Sequence, residues 1–381
     1  MISLAVLLLA SVVSPTGPAS LTTPVAPYPP SGIVVGIDFD FTSIQELAPG
    51  SDNWTITWAD DDHQYTSWGD GGGFGGDNNQ GRVSLGFGRV EGPADAYEGF
   101  NVWGGEAGEN PAQFNGKCYG IVSVDGELYM WRTGDGSGAS SFEFQELYHS
   151  TDRSATWDVT GVRYDETTFL SSLGFFAPTF LQLGRDYAGH DDYLYSYAPE
   201  NKDGNWDVQI PGEISLLRVP VDAIVDPLAY EYFAGLDAGG QPTWTTEVAE
   251  RQPVFEDPNN GVMRTSVSYN AGLDRYLLIT QQVGRQRSDD GHIGIYDAPE
   301  PWGPWTTVLF ANPWDLGLQT GSKTVYWNFS NKWLSASGLE FVLVYTGPGA
   351  DSWGTIEGSF TVRRCLPQQS GAQACYLVSG S

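Results

Sequence analysis

One local pattern recurs five times along this chain and limits what it can fold into. Alternating apolar and polar residues run into a turn rich in Gly, Asp or Asn, then run out again. Alternation with a period of two marks a strand with one buried face, and two such runs around a short turn make a β-hairpin. The first hairpin is predicted over Trp54–Trp58 and Gln64–Trp68, with Asp60-Asp61-Asp62 at its turn. The second runs over Tyr119–Val124, turns at Asp125-Gly126 and returns as Glu127–Trp131. The remaining three join Thr179–Leu183 to Tyr193–Tyr197, Thr265–Tyr269 to Tyr276–Thr280, and Thr324–Phe329 to Leu339–Tyr345. Further strands follow at Val83–Phe87, Phe142–Tyr148, Ile214–Val219 and Ile293–Tyr296. Each unit is long enough for a four-stranded sheet with loops. Repetition on this scale without helical segments predicts the blades of a β-propeller. A β-sandwich is the rival, but it does not require one hairpin to recur at these intervals.

Charge narrows the partners. With 18 basic against 47 acidic residues the net charge is −29, a field that repels phosphate backbones and anionic lipid headgroups. Nucleic acid and membrane surfaces are therefore excluded as expected partners, and a neutral or cationic polymer is compatible. Acidity of this kind also simply keeps a secreted protein soluble. Ile2–Val13 has the length of a signal-peptide core, without the usual positive residues ahead of it, and is too short to span a bilayer. The expected organisation is a signal peptide over residues 1–20, a Pro-rich linker over 21–35, a propeller over 36–364 and a tail over 365–381, in a secreted monomer. Cys365 and Cys375 suit a small disulfide loop in an oxidising compartment, and Cys118 reads as a buried small hydrophobe.

Ser150-Thr151-Asp152-Arg153-Ser154-Ala155-Thr156-Trp157 is close to the Asp-box turn of sialidase-type propellers, in which the Asp caps backbone amides and the Trp packs between blades. Gly71-Gly72-Gly73-Phe74-Gly75-Gly76 lacks the Lys-Ser/Thr and helix of a phosphate cradle and reads as a flexible rim loop. The four His residues have no zinc-ligand spacing. No cofactor is expected; Asp60-Asp61-Asp62 is a solvated turn or at most a structural calcium site.

In a propeller the innermost strands surround a central channel, so residues at one end of those strands meet in one cleft. Asp52 precedes the first strand of the first hairpin and Asp70 follows the second, equally far from the turn at Asp61. Their carboxyls are expected to face each other. Cross-strand neighbours have Cβ atoms about 4.5–5.5 Å apart, close enough to split two pKa values into an acid and a base or nucleophile. Asp before Asn53 and Asp before Gly71 are also ordinary turn chemistry. Glu256, ahead of the fourth hairpin, is a reserve acid. Trp54, Trp68, Arg132, Thr179, Tyr197, Arg264, Gln281, Lys323, Tyr326 and Asn328 occupy the hairpins, most of them at the same open ends. Aromatic faces and oriented polar groups are what a sugar ring and its hydroxyls require. Arg264 equally suits a salt bridge to Glu256 or Asp257, and Tyr197 a core position.

Several of these residues carry a family resemblance. Asp52-Asn53-Trp54 with Trp58, Trp68-Gly69-Asp70-Gly71, Arg218-Val219-Pro220 with Tyr232-Phe233-Ala234-Gly235, Asp297-Ala298-Pro299-Glu300-Pro301-Trp302-Gly303-Pro304-Trp305 and Lys332-Trp333-Leu334 resemble the secreted family catalogued as domain of unknown function 4185, from about Ile37 to Arg363. The resemblance implies a five-bladed propeller and, in some members, endo-D-arabinanase activity through acidic residues of the first blade. Asp52 and Asp70 are the matching positions.

The leading expectation is a secreted glycoside hydrolase that cleaves a polysaccharide, D-arabinan or a related furanoside, by a carboxylate pair. A non-catalytic glycan-binding propeller is the alternative. A polysaccharide lyase, with Tyr326 and Lys323 as its working residues, is a third.

Overall fold

The computed structural model describes residues 25–112, 115–134, 144–165, 167–169, 174–189, 191–202, 207–282, 292–311, 324–348, 350–367 and 373–380. The expected signal peptide and Lys323 lie outside them. The chain is all-β. Strand β1 (Val34–Leu47) is followed by an antiparallel meander of β2 (Asp52–Trp58), β3 (Gln64–Gly69), β4 (Leu85–Glu91) and β5 (Glu98–Trp103). A second meander comprises β6 (Lys117–Val124), β7 (Glu127–Thr133), β8 (Phe144–Ser150) and β9 (Asp158–Asp165). A ten-stranded sheet then contains two more. The first is β10 (Thr179–Gln182), β11 (Tyr193–Pro199), β12 (Glu213–Pro220) and β13 (Glu231–Leu236), with β14 (Pro242–Thr245) on β13 and β15 (Pro253–Glu256) on β12. The second is β16 (Thr265–Asn270), β17 (Arg275–Gln281), β18 (Ile293–Ala298) and β19 (Thr306–Ala311), joined to the first by the parallel pair β10 and β16.

The last sheet is closed by the beginning of the chain. It consists of β20 (Val325–Phe329), β21 (Glu340–Thr346), β22 (Trp353–Pro367) and β23 (Gln373–Ser379), and β1 pairs with the far side of β22. The leading strands β2, β6, β10, β16 and β20 neighbour one another in turn, and β20 returns to β2. All five predicted hairpins are present at their expected positions. Asp125 and Gly126 supply the two positive φ angles, 51° and 82°, that a tight two-residue hairpin turn requires.

Aromatic packing joins the sheets. Trp54 and Trp68 lie 5.6 Å apart by ring centroid, and Trp353 of the closing sheet meets Trp54 edge-on at 5.3 Å. The Asp-box reading of Ser150–Trp157 holds in detail. Asp152 accepts from the Thr156 amide at 2.8 Å and from its hydroxyl at 2.6 Å, while Trp157 crosses to Phe87 of the first meander at 4.7 Å.

Three expectations about the periphery are corrected. The Gly-rich loop is anchored rather than flexible. Gly73 N–H donates to Ser51 Oγ at 2.9 Å, Phe74 N–H donates to Asn101 Oδ1 at 2.8 Å, and the Phe74 ring packs 5.1 Å from Trp54. The described part of the linker is docked: Tyr28 packs against Phe255 and Tyr296, and Ser31 N–H donates to Thr307 O at 2.8 Å. The tail is not plain coil but carries β23, and the expected Cys365–Cys375 disulfide is present, tying β23 to β22 between directly paired residues. Cys118 is buried, and burial pushes its thiol up to about 11, as suits a packing residue.

Candidate active site

Asp52 opens β2, and the residue after it sets the local geometry. Asn53 adopts a left-handed φ of 56°, which Asn tolerates better than most residues. A register shift follows between Asp52 and Thr55, so Asp52 pairs with Gly69 and not with Asp70. The equal spacing about the turn misled by one residue, because a bulge adds a residue to one strand only. Asp70 leaves the ladder with its own left-handed φ of 55°. Its carboxylate reaches Lys117 Nζ at 2.7 Å and Arg82 Nη2 at 3.3 Å, and Lys117 also donates to Ser84 O at 2.9 Å. Gly69 permits this crowding, since a Cβ there would stand 2.7 Å from Asp52 Oδ1 and 3.2 Å from Lys117 Nζ.

Asp52 is largely enclosed. Burial pushes its carboxyl up to about 6; Lys117 opposes the rise, the Asp351 and Asp70 carboxylates add to it, and Arg264 opposes it. The two sequence-predicted acids thus act on each other electrostatically, although they are not a cross-strand pair. Asn53 Nδ2 donates to Asp52 Oδ1 at 2.7 Å and Asn53 Oδ1 accepts from Arg264 Nε at 2.6 Å. Arg264, only 4 % exposed, also donates from Nη1 to Gln281 Oε1 at 2.7 Å. Tyr119 is buried beside the same charges, and burial holds its hydroxyl well above the usual phenol range. Tyr326 donates to Tyr119 O at 2.5 Å and contacts Thr179.

The other predicted residues divide sharply. Arg264 and Gln281 belong to the site, with Arg264 bound to Asn53 in place of the Glu256 or Asp257 pairing. Tyr326 and Thr179 join it as buried support. Trp54 and Trp68 do not line a cleft: both are 0 % exposed, because their rings fill the contact between the first and closing sheets. Tyr197 is core, its hydroxyl donating to Pro301 O at 2.7 Å. Asn328 is buried and donates to Trp54 O at 2.9 Å, tying β20 to β2. Arg132 serves its own sheet, donating to Asn115 O at 2.6 Å and facing Glu146 at 3.8 Å. Glu256 sits exposed at the end of β15 on the outer part of its sheet, and is not among the largest influences on Asp52. Nor does the Asp60-Asp61-Asp62 turn gather as a calcium site. Asp60 pairs with Arg153 at 2.5 Å, Asp61 accepts from Tyr65 at 2.8 Å, and Asp62 accepts from Trp58 at 3.0 Å. Among the described residues no three His, Cys, Asp or Glu converge as metal ligands.

Sequence reasoning missed Asn53, Lys117, Tyr119 and Asp351. Lys117 had a usable signal, since it opens the second hairpin where Asp52 opens the first. Asp351 had none; it enters through the β21–β22 connection, where its carbonyl accepts from Gly50 N–H at 2.6 Å.

A crystal structure of a Bacteroides ovatus protein named as a hydrolase shares 13% identity with a TM-score of 0.52, over 82% of this chain and 87% of that one. An α-L-arabinofuranosidase from Podospora anserina, solved with cellotriose, gives 10% identity and a TM-score of 0.46 over 87% and 96%. At such identity a likeness is one of fold alone. No curated protein matches the chain. A family model matches residues 119–316, narrower than the resemblance suggested and without Asp52 or Asp70. Since that match spans more than half of the 381 residues, the chain belongs to the family described as domain of unknown function (DUF4185).

Proposed function

We propose that the chain is a secreted five-bladed β-propeller that hydrolyses a glycosidic bond in a polysaccharide, with Asp52 as the carboxyl that carries the proton. The observation behind this reading is Asp52 itself. Its carboxyl is pushed up to about 6 at the end of the leading strands, with Lys117, Arg264, Asp70 and Asp351 around it. Glycoside cleavage needs one carboxyl to protonate the leaving oxygen and a second to activate water or attack the sugar. A carboxyl near 6 is protonated in a useful fraction at mild pH and can also take the proton back. Asp70, between Lys117 and Arg82, is the proposed second carboxyl. Of the two oxygens on Asp52, only Oδ1 accepts a hydrogen bond from the described residues. The proposed substrate is D-arabinan or a related furanoside glycan, in keeping with the first-sheet acids and a net charge that tolerates neutral polymers.

A non-catalytic glycan-binding reading has one observation in its favour: Asp70 is already engaged by two cations. The lyase reading loses support, because Tyr326 is buried with its hydroxyl donated to Tyr119 O. The test is incubation with D-arabinan, L-arabinan, galactan, fructan and uronate polymers, followed by chromatography of released oligosaccharides. Hydrolysis of one furanoside by the parent, with binding but no release by Asp52→Asn, is the expected result. A folded parent that binds a glycan and releases nothing would establish the binding reading instead.

A further inference from the structure

The contacts between Arg264, Asn53 and Asp52 determine which oxygen of the carboxyl can hold a proton. A guanidinium only donates, so Arg264 Nε, 2.6 Å from the Asn53 side chain, fixes the amide oxygen as the atom that faces it. The NH2 of Asn53 must then face Asp52, where it donates to Oδ1 at 2.7 Å. An oxygen facing that donor acts as acceptor, which leaves Oδ2 for the proton.

The amide is restrained on other sides as well. Asn53 holds its left-handed φ while its backbone N–H donates to Thr346 Oγ1 at 2.9 Å. Gln281 Oε1 accepts from Arg264 Nη1 at 2.7 Å and fixes the guanidinium plane. Asp52 opens β2, Asn53 follows it, and Arg264 precedes β16, so the contact also links the first meander to the fourth across the ring.

We propose that Asn53 and Arg264 are positioning residues for Asp52: the guanidinium orients the Asn53 amide, the amide holds Oδ1 as an acceptor, and the exchangeable proton is confined to Oδ2. This rests on the reading of Asp52 as the proton-carrying carboxyl and adds how its proton is placed. Among the described residues, the charged groups that act most on Asp52 are Lys117 on β6, Asp351 between β21 and β22, Asp70 beyond β3, and Arg264; the Tyr119 phenol on β6 stands beside them. Donation from Asn53 favours the carboxylate over the acid, so its loss moves the titration of Asp52 upward.

The test uses Asn53→Gly, which accepts a left-handed φ without strain and lacks the amide. Arg264→Lys keeps the charge without the planar fork, and Arg264→Gln removes both. The readout is 13C NMR titration of aspartate carboxyls in the full chain, with the Asp52 signal identified by its absence in Asp52→Asn. Asp52 is expected to titrate near 6 in the parent and about one unit higher in Asn53→Gly, the scale of one lost charge-assisted hydrogen bond. Arg264→Gln is expected to follow in the same direction, with a smaller shift in Arg264→Lys. A midpoint unchanged or lowered in folded Asn53→Gly overturns the proposal, and the same outcome in Arg264→Gln overturns it should Asn53→Gly not fold. NMR needs no turnover, so a shifted midpoint in a protein that cuts no glycan supports the positioning role while removing the hydrolase reading.

Discussion

Asp52→Asn is expected to cut turnover about 10²–10⁴-fold and yet make the protein more stable above pH 6. The Asp52 carboxyl rises from 3.8 to about 6 on folding, chiefly because burial disfavours its charge. A raised folded-state pKa means that the native state binds more protons than the unfolded chain between those two values. Stability from this group is therefore fully present below 3.8 and is lost as pH rises through about 6. At about 1.36 kcal/mol per unit the full shift corresponds to about 3 kcal/mol, an upper bound for one group. Asparagine has no charge to bury, and its carbonyl still accepts from Asn53. Urea denaturation of parent and variant at pH 4.5 and pH 8 isolates the effect, since other titrating groups are common to both. The variant should gain about 1–2 kcal/mol on the parent between the two pH values, after allowance for residual water contact. Identical pH dependence in the two proteins would refute the claim that Asp52 is a buried, destabilising acid.

Lys117→Met removes the strongest influence opposing that rise, so the Asp52 titration should move further upward by about one unit in NMR; a downward move would contradict the assigned geometry. Trp157→Ala empties a buried site against Phe87 and should cost about 3–5 kcal/mol in denaturant unfolding, with Asp52 unaffected. Cys375→Ser opens a loop whose closure is worth about 3 kcal/mol, but among the described residues β23 pairs only with β22. Limited proteolysis should accordingly release the last strand while the rest of the protein keeps its midpoint.

The hairpins were legible because each is local: period-two alternation and a Gly or Asp turn suffice to define it. Ring closure was not, because pairing of β1 with β22 joins residues some three hundred positions apart and neither strand advertises its partner. The Asp52 region was legible to within one residue, and the error has a physical cause in the bulge at Asn53. Trp54 and Trp68 were misread because a large aromatic at a hairpin end serves equally as a sugar platform or as the packing between sheets. Alternation gives the face of a strand, not what lies against that face. Lys117, Arg264 and Asp351 reach the site from three separate elements; Arg264 and Lys117 both stand at hairpin ends, yet only Arg264 entered the expected set, and Asp351 lies in a connection that carries no such signal.

The central claim, that Asp52 passes a proton during glycan cleavage, is tested most directly by the pH dependence of reducing-end release from D-arabinan. The account predicts a limb of the parent profile near 6, the value set by burial of Asp52, and a loss of about 10²–10⁴-fold in Asp52→Asn at the optimum. Release by Asp52→Asn at the parent rate, with the same limb near 6, would contradict it.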